Sequence, residues 1–490
     1  MAGTRVRRDI TKMDTWDPQI LWYARAVRRM KGKKKPEADP TSWLWQTNIH
    51  GSRVQPPKPE EWDQCPHGGW FFLPWHRAYL HCFEQIVLQE IRDMDGPEDW
   101  ALPYWNYTRV IGDVDSPESK KCRRLPDAFR TPQWPDGEED GSTNPLFLAP
   151  PDRGQNAANG FSAQWTEVDP TAALHASLFP GSDQFGSRDT DGELPHSGGG
   201  SGLLEQRPHN NLHVFVGGLM SQFVSARDPV FWLHHSNIDR YWPAWLTDMN
   251  HKNPQSADWL DRTFAFRDVG GEPVTLTSRD VLSPEALGYR YESLTEGTGE
   301  KAAERRAFLM AAVSPTGPSE PVIGRTGAKD LGPDPVVMPL APETEPRAAL
   351  APVARRETES RVMLTIDDVR ADAPPGTSYR VFAGAREGHP EDLDPDGPCF
   401  VGHIDFFGSV GDDVGHHEGA GGVFRYDITD LLHHLHDQGI WDGEGLPPVV
   451  VTPAPLDPPP ERAAAAAAEA APVPLPDSRP RIGGVSVATV

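Results

Sequence analysis

The sequence predicts a mainly α N-terminal domain followed by a small C-terminal antiparallel β domain. Long amphipathic runs with helical spacing and most of the tryptophans fall within residues 1–313. A proline-rich stretch with few aromatics, residues 314–359, then breaks the pattern and reads as an exposed, cleavable linker. Beyond it, residues 360–456 contain short β-branched or aromatic runs punctuated by Gly, Pro and Asp, the signature of short strands.

The helical elements come in order. "PQILWYARAVRRM" spaces its apolar residues three and four apart, and a second run ends at His50 in "WQTNIH". "HRAYLHCFEQIVLQEIRDM" continues from a start near Pro74, and "DPVFWLHHSNIDRYWPAWL" opens on Asp228 and Pro229, a capping carboxylate followed by a proline suited to the first helical position. Val110 to Gly202 is too rich in Pro, Gly, Asp and Ser for continuous structure and is expected as loops draped over a bundle. In the second domain "RVMLTIDDV", "SYRVFAGA", "CFVGHIDFFGSV", "GVFRYDIT" and "PPVVVTPA" read as strands. Residues 457–490 form a Pro/Ala tail whose closing "IGGVSVATV" is expected to return as a final strand.

Bulk properties exclude several classes. A chain of 490 residues suggests two or three domains. Its 47 basic and 71 acidic residues give 47 − 71 = −24, so nucleic acid and anionic membranes are not expected partners. The basic start "MAGTRVRRDI" is followed by no apolar run, and no stretch reaches the roughly 20 apolar residues of a membrane span. Four cysteines, spaced unlike a disulfide framework or a zinc ribbon, fit a reducing compartment, and with no signal peptide visible the expected location is cytoplasmic.

Histidine spacing carries the chemistry. His209 and His213 lie four apart, which on a helix puts both rings on one face about 6 Å apart. His234 and His235 are adjacent, about 100° apart around a helix, so only one is expected to face a given site. His76 and His81 differ by about 140° and are not expected to share an ion. His67 lies in the Gly-rich loop before that helix. His81, His175, His196, His416, His417, His433, His434 and His436 read as surface, capping or packing residues. His50, His67 and His76, with His209, His213 and one of the adjacent pair, form two triads that suit copper or zinc. The absence of Asp and Glu within either triad disfavours magnesium and calcium.

The segments "HGGWFFLPWHRAYLHCFE", "PHNNLHVFVGG" and "DPVFWLHHSNIDRYW" closely resemble the two copper-binding signatures of tyrosinases and catechol oxidases, the type 3 copper proteins. "ALPYWNY", "LGYRYESL", "YDITDLLHHL" and the final "IGGV" resemble plant-type polyphenol oxidases, so the resemblance covers nearly the whole chain and is weakest in residues 110–200 and the linker. It implies a catalytic four-helix bundle holding a dicopper site, with one copper on His50, His67 and His76 and the other on His209, His213 and His235, His234 standing beside them. Three-coordinate ions leave an open side for dioxygen, the implied co-substrate. The implied reaction is oxidation of o-diphenols to o-quinones, with ortho-hydroxylation of monophenols; catechol oxidase or o-aminophenol oxidase activity alone, or a hemocyanin-like oxygen carrier, are the alternatives. A dinuclear zinc hydrolase is disfavoured because such sites normally include a bridging carboxylate.

The resemblance also assigns single residues. Glu205 corresponds to a glutamate that holds a water able to accept the phenol proton, with Asn210 as its hydrogen-bonding partner. Phe231, one turn before His235, is placed to be an aromatic wall for a phenol ring, and Val214 and Met220 are expected to line the entrance. Cys65, in Cys65-Pro66-His67, has the spacing at which fungal tyrosinases and molluscan hemocyanins join a thiol to a histidine ligand by a thioether. Arg7 or Arg8 is expected to stack on Tyr289 or Tyr291. Small phenols, dioxygen and an activating protease are the expected partners, since in relatives a C-terminal β domain covers the copper site until it is cleaved away.

Overall fold

The computed structural model describes residues 4–295 and 321–490, apart from 35, 56, 136–142, 182–183, 192, 195–200, 248–249, 396, 408–420 and 457–473. His196, His416, His417, the first part of the expected linker and much of the expected tail therefore lie outside the described residues. The chain divides into two compact units, one within residues 1–300 and one within 301–455 and 471–490.

Five helices organise the first unit: α1 (Pro18–Lys31), α2 (Trp43–His50), α3 (Phe72–Arg92), α4 (Asn211–Val216) and α5 (Val230–Trp245). Their starts follow capping chemistry. The Asp17 carboxylate accepts the Gln19 N–H ahead of Pro18, the Ser42 hydroxyl accepts the Trp45 N–H, and Asp228 Oδ1 accepts the Val230 N–H at 2.9 Å. The buried stripe of α1, with Ile20, Tyr23, Ala24, Val27 and Met30, packs on α3, and α3 packs on α5 with Phe83 stacked on Trp232. Residues 110–202 carry short helical turns at Pro117–Cys122, Asp127–Arg130, Gln155–Ala158, Trp165–Val168 and Thr171–His175, held by Phe129, Leu146, Phe179 and Phe185 in the core.

A buried ionic network locks this unit's ends. Strand β1 (Arg5–Arg7) pairs in parallel with β4 (Tyr289–Tyr291), and the hairpin β2 (Thr263–Arg267) and β3 (Pro273–Thr277) lies between them in sequence. Arg7, rather than Arg8, stacks on Tyr289 with its guanidinium carbon 3.7 Å from the ring centroid. It also donates to Glu84 on α3 at 2.8 Å and to the Tyr291 hydroxyl at 3.0 Å. Arg8 instead reaches Asp17 and Gln19. Asp239 of α5 accepts from Arg77 of α3 at 2.5 Å and from Tyr289 at 2.7 Å. Burial alone would raise the Asp239 pKa, but the two arginines and two tyrosine hydroxyls outweigh it and hold the carboxyl below its usual range.

Among the described residues the second unit has two larger antiparallel sheets and one short antiparallel pair, Lys329–Asp330 with Arg481–Ile482. One runs β11 (Phe400–Ile404), β10 (Tyr379–Ala383), β13 (Val449–Pro453), β7 (Val336–Met338). The other runs β12 (Gly422–Asp427), β9 (Val362–Val369), β15 (Gly484–Thr489), β5 (Val322–Thr326), β8 (Ala341–Pro342). The last strand of the chain thus lies in the middle of a sheet, between β9 and β5.

The expected linker needs correcting. Within residues 321–359 lie β5, β6 (Lys329–Asp330), β7, β8 and helix α6 (Pro346–Ala354), and Ile323, Met338, Leu350 and Val353 are part of the second core. Pro342 ends a two-residue strand, Pro346 opens the helix and Pro352 lies within it, so a composition typical of linkers accompanies regular structure. No described helix is long and apolar enough to cross a membrane.

Candidate metal centre

Six elements bring the histidines together. His50 ends α2, His67 sits in the loop before α3, and His76 lies on its first turns. His209 sits in a wide helical turn, Glu205–Asn210, which is broken at Arg207 and runs directly into α4, where His213 lies; His235 is on α5. All six rings are buried. Ring centroids of the first triad are 5.5 to 5.8 Å apart and those of the second 4.5 to 5.4 Å apart. The triads abut: His76 stacks on His235 at 4.4 Å with the planes 6° apart, and His67 lies 5.6 Å from His209.

The hydrogen bonds decide which ring nitrogen is available. Nδ1 of His50 meets the Phe223 carbonyl at 2.8 Å, that of His76 the Phe72 carbonyl at 2.7 Å, and that of His213 the Met220 carbonyl at 2.6 Å. Nδ1 of His209 meets Asn210 Oδ1 at 2.7 Å. A carbonyl oxygen can only accept, so each Nδ1 carries the proton and each Nε2 presents a lone pair. Burial, reinforced by neighbouring imidazoles, holds His76, His213 and His235 well below the usual imidazole pKa and His209 at about 3. Buried imidazoles, four of them with tautomers fixed in this way, are the donor set a copper pair requires, and neither group contains a carboxylate among the described residues.

Each group has a fourth member. Cys65 joins His50, His67 and His76, with Sγ 3.3 Å from His76 Nε2, and burial pushes its thiol well above the usual value. His234 joins His209, His213 and His235. The expectation that only one of the adjacent pair faces the site is thereby corrected. Despite their separation of about 100° both rings neighbour His209 and His213, with centroids 5.4 and 4.9 Å away for His234 and 4.9 and 5.4 Å away for His235. Both ring nitrogens of His234 are buried and lack a hydrogen-bond partner among the described residues.

Comparison with known proteins agrees with this geometry. Residues 40–248 match the common central domain of tyrosinase, residues 253–296 the polyphenol oxidase middle domain, and residues 332–462 a domain of unknown function. A tyrosinase of Hahella sp. (strain CCB-MM4) is 33% identical over 463 residues, spanning 88% of this chain and 92% of that protein. The chain belongs to the tyrosinase family. It is a copper-dependent oxidase of the tyrosinase and polyphenol oxidase class, with a dicopper centre of the type 3 kind.

More distant relatives include a chloroplastic polyphenol oxidase of Malus domestica, 28% identical over 84% of this chain and 70% of that one. Another is (+)-larreatricin hydroxylase of Larrea tridentata, 33% identical over 56% of this chain and 46% of that protein. The solved structure of latent apple tyrosinase shares the fold at a TM-score of 0.57 and 22% identity, covering all of this chain and 98% of that one.

The remaining predicted residues of this tyrosinase-family site fall as follows. Phe231 is buried with its ring 4.8 Å from His50 and 4.1 Å from His235, touching a member of each triad. Val214 and Met220 are both buried, and Met220 contributes its carbonyl to His213. Glu205 is buried, and its carboxylate accepts the Gly68 N–H at 2.8 Å and the Ser187 hydroxyl. Asn210 turns its amide oxygen to His209. His81 faces away from the cluster, and burial lowers its pKa to about 4. Cys82 packs in the core.

Sequence reading missed Ser187, which sits among residues with no motif. It also missed the carbonyls of Phe72, Met220 and Phe223, for which residue type carries no signal at all.

Proposed function

We propose that this chain oxidises o-diphenols to o-quinones with dioxygen and hydroxylates monophenols at the ortho position, with one copper held by His50, His67 and His76 and the other by His209, His213 and His235. The observation that carries the reading is the pair of abutting, buried, carboxylate-free triads, in which His50, His76, His209 and His213 have their Nδ1 protons committed to carbonyl and amide oxygens. Copper bound there would supply the dioxygen chemistry. The protein's own groups do the rest. Phe231 offers the ring face against which a planar phenol packs, and the burial of the triads excludes bulk water from the reacting oxygen.

A monophenol must also lose a proton whose pKa is near 10. Glu205 is the carboxylate set to receive it through a water; it is held beside the His67 loop by Gly68 and Ser187. The hydroxylase activity named for the Larrea relative accords with this part of the reading. Oxygen uptake with tyrosol-like monophenols, catechols and o-aminophenols, on protein assayed for copper, tests it. A Glu205→Gln variant is expected to lose monophenol turnover about 10²-fold or more while retaining catechol oxidation. Equal loss of both would remove Glu205 from the proton path.

Two finer features belong to the same reading. Cys65 Sγ lies 3.6 Å from Nδ1 and 3.8 Å from Nε2 of His67, so it faces the ring carbon bonded to both nitrogens. A thioether there would form the S–C bond with loss of the thiol hydrogen and the ring-carbon hydrogen, two electrons passing to dioxygen. Intact mass after copper and oxygen treatment reads the loss of two hydrogens, and an unchanged mass rules the bond out. The second unit would keep the enzyme latent, as the apple tyrosinase of similar fold is in its latent form. Residues 321–359 are structured, so the activating cut is not expected among them. Full activity of uncleaved protein without detergent would contradict latency.

A further inference from the structure

Met220 and Phe223 are three residues apart, and the carbonyl of each fixes one imidazole: Met220 that of His213, in the second triad, and Phe223 that of His50, in the first. We infer that the segment Met220–Phe223 is a backbone ruler that sets the two copper sites relative to one another, so that neither site can be perturbed through it alone. The inference rests on each triad holding one copper.

The segment has the rigidity and the anchoring for this. Three residues of chain span at most about 10 Å, so the two carbonyls cannot part further. Successive turns tie it internally, with Met220 N–H donating to Gly217 O at 3.1 Å, Gln222 N–H to Leu219 O at 3.0 Å and Ser225 N–H to Gln222 O at 3.0 Å. On the first-triad side, Arg53 donates to the Gln222 amide oxygen at 2.7 Å and Arg227 to Asn48 Oδ1 at 3.0 Å, so both flanks of the His50 end of α2 are tied to it. Leu219 N–H donates to Asp152 O at 2.8 Å and Gly154 N–H to Val216 O at 2.9 Å, which fixes the second-triad side. Gly51, directly after His50, lies against the Phe223 carbonyl so closely that a Cβ would collide with it. A Cβ on Gly154 would lie 2.6 Å from Val216 O, at the other end. Gly51 lets the segment press against the end of α2, and Gly154 lets its own loop press against the end of α4 just ahead of the segment.

Backbone carbonyls that orient metal ligands through the far ring nitrogen act on affinity without touching the metal, typically by 10–100-fold. The ruler makes that effect common to both ions. Gly51→Ala pushes Phe223 and hence His50, and Gly154→Ala pushes the approach to Met220 and hence His213.

The test is titration of copper-free full-length protein with copper(I) against a competing chelator, well below the melting temperature, so that lost stability by itself leaves affinity unchanged. X-ray absorption of the loaded protein reads the copper–copper distance. Wild-type protein is expected to take two equivalents; failure there refutes the ligand assignment rather than the ruler. Gly51→Ala and Gly154→Ala are each expected to weaken both equivalents about tenfold or more and to change the metal–metal distance. If either alanine variant does not fold, Arg53→Ala, which removes only an exposed tether of the segment, is read instead for parallel weakening of both equivalents. Loss confined to one equivalent, with the other at wild-type affinity, overturns the inference, as does unchanged affinity at both.

Discussion

Replacing Asp239 by asparagine removes the negative charge on which α3, α5, β1 and β4 converge. The carboxylate receives Arg77 at 2.5 Å, the Tyr289 and Tyr291 hydroxyls at 2.7 and 2.5 Å, and Arg7 at 3.4 Å, and it is nearly inaccessible to water. Arg7 keeps Glu84 as a counter-charge after the change, but Arg77 keeps no carboxylate partner among the described residues, only the carbonyls of Val281, Leu282 and residue 239 and the face of Trp242. A buried cation deprived of its partner costs about 3–5 kcal/mol. At roughly 2–4 °C per kcal/mol for a unit of this size, the melting temperature should fall by about 6–20 °C. Thermal unfolding of the copper-free protein followed by circular dichroism measures this. The double variant Arg77→Met, Asp239→Leu should recover most of the loss, because it leaves neither charge buried alone. A fall of less than about 2 °C in the single variant, or a double variant no better than the single, would refute the reasoning.

Three further outcomes are expected. The copper-free protein should lose stability as pH falls from about 6.5 toward 3, because unfolded imidazoles take up protons while the buried ones, with His209 at about 3, refuse them; equal urea midpoints at pH 7.5 and 5.0 would exclude this. Phe231→Leu, which keeps an apolar side chain in place, should raise KM for catechols several-fold with a stability loss near 1 kcal/mol, whereas an unchanged KM would make Phe231 a packing residue only. Deleting Gly484–Val490 takes β15 from between β9 and β5, and the second unit should lose its cooperative unfolding transition; its survival would show that the remaining strands close the sheet by themselves.

Much of the site was legible because imidazole spacing and helix signals are local. The pairing of His209 with His213 and the separation of His76 from His81 followed from helical phase, and the capping role of Asp228 from residue type. The linker was misread because composition averages over a window, whereas Ile323, Met338, Leu350 and Val353 are few but placed to fill one core. His234 was set aside because helical phase gives the direction of a side chain but not the position of the site it meets.

The sequence by itself determined the metal chemistry: neutral nitrogen donors without carboxylates, in two clusters, ahead of a β-rich second half. Only the tertiary structure decided the protonation pattern of those donors, the packing of Cys65 against His67, the choice of Arg7 over Arg8, and the four-residue segment that serves both triads. The reason is physical. Residue type specifies what a side chain can donate or accept, but a backbone carbonyl is the same at every position, and which imidazole it orients depends on where the folded chain carries it.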